Sequence, residues 1–174
     1  MYFCLYFENM RILGIDPGYA IMGWGVVEKK GSSFIPIAYG AITTEKDTPM
    51  PDRLKILYNG LMDVISEYSP DEASIEELYF QNNAKTAIFV GQARGVAILS
   101  CSNCGLNMYE YTPMQIKTSV AGNGRAEKYQ VQQMVTKILN LPEIPKPDDV
   151  ADALGAAICH GYSGELKKKM FLMK

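Results

Sequence analysis

The sequence predicts an α/β domain, a mixed central sheet flanked by helices, and three observations carry that prediction. Apolar or alternating runs between residues 11 and 43 are joined by turns too short to hold a crossover helix. Beyond residue 51, helix-period stripes alternate with short strand-like runs, the order that builds parallel strands. Two strand-like runs end on carboxylates, Asp16 and Glu76, at the sheet edge where α/β proteins place their sites.

Residues 11–15 form the first strand, with Pro17 and Gly18 turning the chain directly after Asp16. A second strand runs from 20 to 28, with Ile21, Met22, Trp24, Val26 and Val27. After the turn Lys29-Lys30-Gly31-Ser32, a third spans 33–43, where Ile35, Ile37, Tyr39 and Ala41 alternate. Pro36 places this strand at an edge or a bulge, because it has no N–H to give a ladder. The short turns make the three an antiparallel meander.

A helix starts at Pro51 or Asp52. Leu54, Leu57, Leu61, Ile65 and Tyr68 give it one apolar stripe, and Ser69-Pro70 stops it. The strand 72–76 follows, expected parallel to the first, and residues 78–83 form a loop with Tyr79 and Phe80. The helix 84–100 carries Ala87, Gly91 and Gly95 four apart, which allows close approach by another element and offsets a helix-propensity cost of about 1 kcal/mol per glycine. A strand at 106–111, a short helix from Thr112-Pro113 to Lys117, and a flexible turn at 122–125 come next. The helix 126–140 buries Val131, Met134, Val135 and Ile138. A proline-rich connector leads to a last helix from Asp149 to about Tyr162, capped by Asp148, with a core face of Val150, Leu154, Ala157 and Ile158.

Bulk properties bound the function. The chain has 174 residues and 48% apolar content, enough for one substantial core. A net charge of −2 argues against a strongly basic nucleic-acid binder, although setting aside four metal-committed carboxylates leaves the remainder slightly positive. No run of 18 apolar residues exists, so no membrane span is expected. Residues 1–9 are apolar and aromatic but lack a basic segment and a cleavage site, and read as an N-terminal extension rather than a signal peptide. Cys101 and Cys104 have the spacing of half a zinc site. No second pair accompanies them and His160 is the only histidine, so the cysteines, with Cys4 and Cys159, read as reduced thiols of a cytoplasmic protein.

Asp149 and Asp152 are three apart and share a helix face that avoids the core positions. A helix docked on the sheet would aim both at Asp16 and Glu76. Clustered carboxylates repel unless a cation neutralises them, and hard oxygen ligands suit Mg²⁺ or Mn²⁺. Two ions in such a site would activate water and stabilise a phosphodiester leaving oxygen. Each acid also fits a plainer role: Asp16 before a turn, Asp148 and Asp149 at a helix N-terminus, Glu76 and Glu77 in solvent.

Several motifs together resemble the crossover junction endodeoxyribonuclease RuvC family, the Holliday junction resolvases. They are Ile12-Leu13-Gly14-Ile15-Asp16-Pro17-Gly18, Ile75-Glu76, residues 90–97 around Gln92-Ala93-Arg94-Gly95, and residues 122–128 around Asn123-Gly124-Arg125. Gln130-Val131-Gln132 and Asp149-Val150-Ala151-Asp152-Ala153-Leu154 complete the set. The resemblance spans residue 10 to about 161.

The resemblance implies a ribonuclease-H-like fold in residues 10–163, followed by a lysine-rich C-terminal tail at 164–174. It implies a homodimer that nicks four-way DNA junctions symmetrically in recombination and repair, leaving 5′ phosphate and 3′ hydroxyl ends. Two Mg²⁺ ions per site, with Mn²⁺ as a substitute, would be held by the catalytic acids Asp16, Glu76, Asp149 and Asp152. Some relatives carry His where Asp149 stands, so an all-carboxylate site is implied here. Lys117 and Lys128 are implied in catalysis and DNA binding. Tyr79, with Phe80 beside it, is implied in stacking at the junction centre, and Arg94 and Arg125 are further DNA-contact candidates. The helix from residue 84 is implied as the dimer element, and a RuvA-RuvB branch-migration complex as partner.

Overall fold

The computed structural model describes residues 9–77 and 84–172, with residues 84–86 and 165–172 as backbone alone. Its elements are β1 (Met10–Asp16), β2 (Ile21–Lys30), β3 (Ser33–Thr43), α1 (Met50–Tyr68), β4 (Glu72–Glu76), α2 (Ala84–Asn103), β5 (Asn107–Tyr111), α3 (Pro113–Ala121), α4 (Lys128–Ile138) and α5 (Asp148–Leu172). They form one five-stranded sheet in the order β3-β2-β1-β4-β5. β1, β2 and β3 pair antiparallel, as their short turns require, whereas β4 pairs parallel to β1 and β5 parallel to β4. The sheet is therefore mixed, with β1 at its centre.

β1 is buried on both faces, which explains its continuous apolar run. Leu13 and Ile15 pack with Met22, Val26 and the α1 stripe residues Leu57, Leu61 and Ile65, on the face that α1 and α2 cover. Ile12 and Val27 face the opposite layer, where α3, α4 and α5 supply Ile116, Val131, Val135 and Leu154. Pro36 sits on the edge strand β3 opposite Val27, where the register slips between Val26 and Val27. This is the edge-or-bulge position expected for a residue without an N–H.

Several boundaries and faces differ from the sequence expectation. α3 continues four residues past Lys117 and stops at Gly122, whose φ of 72° suits a left-handed cap. α4 begins at Lys128 rather than Ala126, because Glu127 caps it reciprocally with Gln130. Met134 and Ile138 are only partly buried, while Gln132 and Leu139 fill the core side. α5 runs on to Leu172 instead of ending near Tyr162. Leu166 to Met170 are good helix formers with no proline among them, so the backbone expected as a tail from residue 164 stays helical through Leu172.

α5 is buried almost all round between residues 150 and 161, because the sheet covers one side of it and α3 and α4 the other. Its placement sets the functional edge.

Candidate functional site

Two glycines inside the strands seat α5. A Cβ on Gly14 of β1 would run into the backbone carbonyl of Ala153, and one on Gly23 of β2 into that of Asp149. Only hydrogen at these positions lets the helix backbone lie on the sheet. Gly23 is also the cross-strand partner of Asp16. The first turn of α5 thus rests beside the strand end that carries Asp16. Sequence reasoning had not singled out Gly14 or Gly23, although isolated glycines inside apolar strands are the available signal for such close approach.

Asp16 ends β1, and its carbonyl accepts from the Gly18 N–H at 3.1 Å, closing the turn that leads the chain away. Glu76 ends the parallel strand β4. An open cleft of about 330 Å³ lies between them, lined by Asp16, Pro17, Gly18, Glu76, Glu77, Val90 and Pro113. Asp149 and Asp152 enter this neighbourhood from α5. The electrostatics register the convergence: burial, then repulsion from Asp152, Asp149 and Glu76, pushes the Asp16 carboxyl up to about 7. Burial and Asp152 likewise raise Glu76, against a pull downward from Lys117 and Lys128. Burial raises Asp152 against the hydrogen bond and charge of Lys128.

The two lysines expected at the site are there. The Lys128 ammonium stands 2.9 Å from Asp152 and 3.7 Å from Asp148. Partial burial works against its charge, but Asp152, Asp148 and Asp16 outweigh that and raise its pKa. Lys117, on α3, is close enough to stabilise ionised Glu76. Asp148 has a different environment, held low by the Lys146 ammonium at 2.7 Å.

Among the described residues, no three acidic, His or Cys side chains are drawn together tightly enough to grip an ion as they stand. Lys128 draws Asp152 to itself. The donor set still fits a hard divalent cation. It is all oxygen, and Asp16 is pushed toward protonation by burial first and then by the three acids around it, a repulsion that a cation would relieve.

The other candidates divide. Arg125 lies in the exposed turn before α4, its backbone N–H donating to the Asn123 side chain at 3.0 Å. Arg94, expected at a DNA surface, turns inward: its guanidinium donates to the Glu76 carbonyl at 2.6 Å and pairs with Glu110 at 2.8 Å. Tyr79 and Phe80 lie outside the described residues. Cys101 and Cys159 are buried free thiols, and Cys104 is an exposed one.

Sequence reasoning also missed a buried polar network behind the site. The Tyr111 hydroxyl lies 2.7 Å from Nδ1 of His160, and Nε2 of His160 lies 2.8 Å from the Glu72 carboxylate. It ties β4, β5 and α5 together eight residues along α5 from Asp152. A single histidine in an apolar stretch carries no sign of its partners.

Comparison with known proteins agrees with this architecture. A family model described as crossover junction endodeoxyribonuclease RuvC matches residues 12–160. The protein of that description from Caldanaerobacter subterraneus subsp. tengcongensis is 55% identical over 161 residues, covering 92% of this chain and 98% of the relative. The one from Ruminiclostridium cellulolyticum is 58% identical over 154 residues, covering 88% and 93%. Among solved structures, Thermus thermophilus RuvC in complex with a Holliday junction substrate superposes with a TM-score of 0.86 at 33% identity, covering 91% of this chain and 96% of that one. The yeast mitochondrial Holliday junction resolvase shares the fold, with a TM-score of 0.66 at 13% identity, covering 93% and 82%.

Proposed function

The chain belongs to the crossover junction endodeoxyribonuclease RuvC family, and on that premise we propose that it resolves four-way (Holliday) DNA junctions in homologous recombination and repair. The reaction is symmetric, metal-dependent hydrolysis of two phosphodiesters, leaving 5′ phosphate and 3′ hydroxyl ends. The observation that carries this reading is the convergence of Asp16, Glu76, Asp149 and Asp152 on one sheet edge, with Asp16 pushed up to about 7.

In this reading the four carboxylates hold divalent cations, Mg²⁺ in preference and Mn²⁺ as a substitute, two per site. Such ions supply Lewis-acid stabilisation of the phosphodiester oxygens and a more acidic attacking water. The chain's own residues do the rest. Asp16, on the central strand, would hold the cations together with the other acids, and its early turn at Pro17 leaves the carboxylate open to substrate. Lys128 and Lys117 flank the acids and offset negative charge that develops on the phosphate. Arg125 offers a phosphate contact from an exposed turn. Tyr79, or Phe80 beside it, stacks on bases at the junction centre.

The second copy needed for paired nicks docks on α2. A Cβ on Gly91 or Gly95 would meet nothing within 4 Å, and Ile88 and Leu99 on the same helix are 61% and 53% exposed. Two-fold pairing there would present two sites to two equivalent strands. A RuvA-RuvB branch-migration complex is the proposed partner and the cytoplasm the proposed location. None of the described helices is long and apolar enough to cross a membrane.

The test is cleavage of a mobile four-way junction beside linear duplex, with and without Mg²⁺. Paired symmetric nicks on the junction alone, dependent on Mg²⁺, are expected. Equal cutting of the duplex, or junction binding without any nicking, would overturn the assignment.

A further inference from the structure

We propose that Arg94 is a positioning residue for Glu76, holding the end of β4 from α2 rather than contacting DNA. The inference rests on Glu76 serving the cleavage reaction, as set out above.

Glu76 sits where the sheet gives out. Pairing of β1 with β4 stops at Ile15↔Ile75, so Glu76 is registered only against Tyr111 of β5. The next residue, Glu77, reaches the same neighbour, its N–H donating to the Tyr111 carbonyl at 2.8 Å. A strand end tethered on one side is free to swing, and a carboxylate on it swings too. Arg94 removes that freedom. One guanidinium nitrogen donates to the Glu76 carbonyl at 2.6 Å, and the other amino nitrogen pairs with Glu110 on β5 at 2.8 Å. The planar fork thereby links α2 to the ends of both parallel strands, and each bond is charge-assisted on the arginine side.

The helix that carries Arg94 is itself well placed. Ala93 and Ala97 are fully buried against the sheet, which fixes the rotation of α2. Val90, one turn before Arg94, forms part of the cleft wall. Arg94 is 11% exposed, against 49% for its partner Glu110. A phosphate would reach it only by displacing a contact inside the protein. The fork also explains why arginine stands here: a lysine ammonium has the charge but not the two parallel donors needed to span both acceptors.

Full-length Arg94→Ala, Arg94→Lys, Glu110→Gln and Glu76→Gln proteins test this. Junction affinity is measured without divalent metal across a salt series, and single-turnover cleavage in Mg²⁺. A misplaced Glu76 costs Arg94→Ala about 10²-fold in cleavage rate while junction affinity stays within about twofold. Arg94→Lys recovers part of the rate, and Glu110→Gln loses less than Arg94→Ala.

A wild-type cleavage rate in Arg94→Ala would overturn the proposal. So would a weakened affinity whose salt slope falls by about one, the mark of a lost phosphate contact. If circular dichroism shows Arg94→Ala unfolded, Arg94→Lys decides, because it keeps the charge and loses the fork; a wild-type rate there also overturns the role. Glu76→Gln separates the two levels. If it is inactive while Arg94→Ala is normal, only the Arg94 role fails. If it is fully active, the assignment of Glu76 itself fails.

Discussion

Asp16 ties the chemistry of the site to the stability of the protein. Its carboxyl titrates at about 7 in the fold against 3.8 when free. Because the folded state holds this proton more tightly, the contribution to stability is fully present below about pH 4. It is lost as pH rises toward 7 and stays lost above that. In a metal chelator, wild-type protein should therefore melt lower at pH 8 than Asp16→Asn, by roughly 5 °C. Added Mg²⁺ should close the gap by stabilising the wild type alone, as scanning calorimetry would show. Asp16→Asn should also abolish cleavage while junction binding in gel shifts persists. Lys128→Ala removes the ammonium beside Asp152, and junction cleavage should fall by about 10²-fold with little change in fold. At this scale the sequence was informative about the acids but not about Arg94. A carboxylate at a strand end, or two carboxylates three apart on a helix, have their direction set by local geometry. Arg94 has a long side chain whose direction only its neighbours decide.

The elements meet through contacts that periodicity describes incompletely. α5 is aimed by the glycines beneath it, so Gly23→Ala should place a Cβ against the Asp149 carbonyl, destabilise by about 1–3 kcal/mol and displace the acidic face. Urea melts would read the stability loss, and cleavage should fall further than stability alone explains. A second device fixes α5 farther along, against β4 and β5 of the same sheet. The His160 ring stacks on Tyr109 at 4.4 Å between centroids while bonding toward Tyr111 and Glu72. Tyr111→Phe leaves a ring nitrogen without that hydroxyl, and should cost about 1–3 kcal/mol in the same assay. The boundary differences have a common cause. Helix ends follow caps and breakers, so α3 went on to Gly122 and α4 waited for the Glu127–Gln130 box. α5 met no proline at Tyr162 and continued through Gly161 and Gly164.

At the scale of the molecule, the sheet separates two apolar layers, and the described residues leave open a face of α2 that carries Ile88, Gly91, Gly95 and Leu99. Gly95→Glu should set a charge on that face and convert the proposed dimer to monomers in sedimentation experiments. Junction cleavage should then yield single rather than paired nicks, with the monomer's circular dichroism unchanged.

The sequence by itself determined the strands, the antiparallel meander, the parallel return to β4, and the acids that end at one edge. Those follow from alternation, turn length and the short reach of backbone-proximal carboxylates. Only the tertiary structure decided that Gly14 and Gly23 seat α5, that His160 is locked between Glu72 and Tyr111, and that Arg94 faces inward to Glu76. These are contacts between residues far apart in the chain. Which groups meet depends on how three layers pack, and no local pattern carries that information.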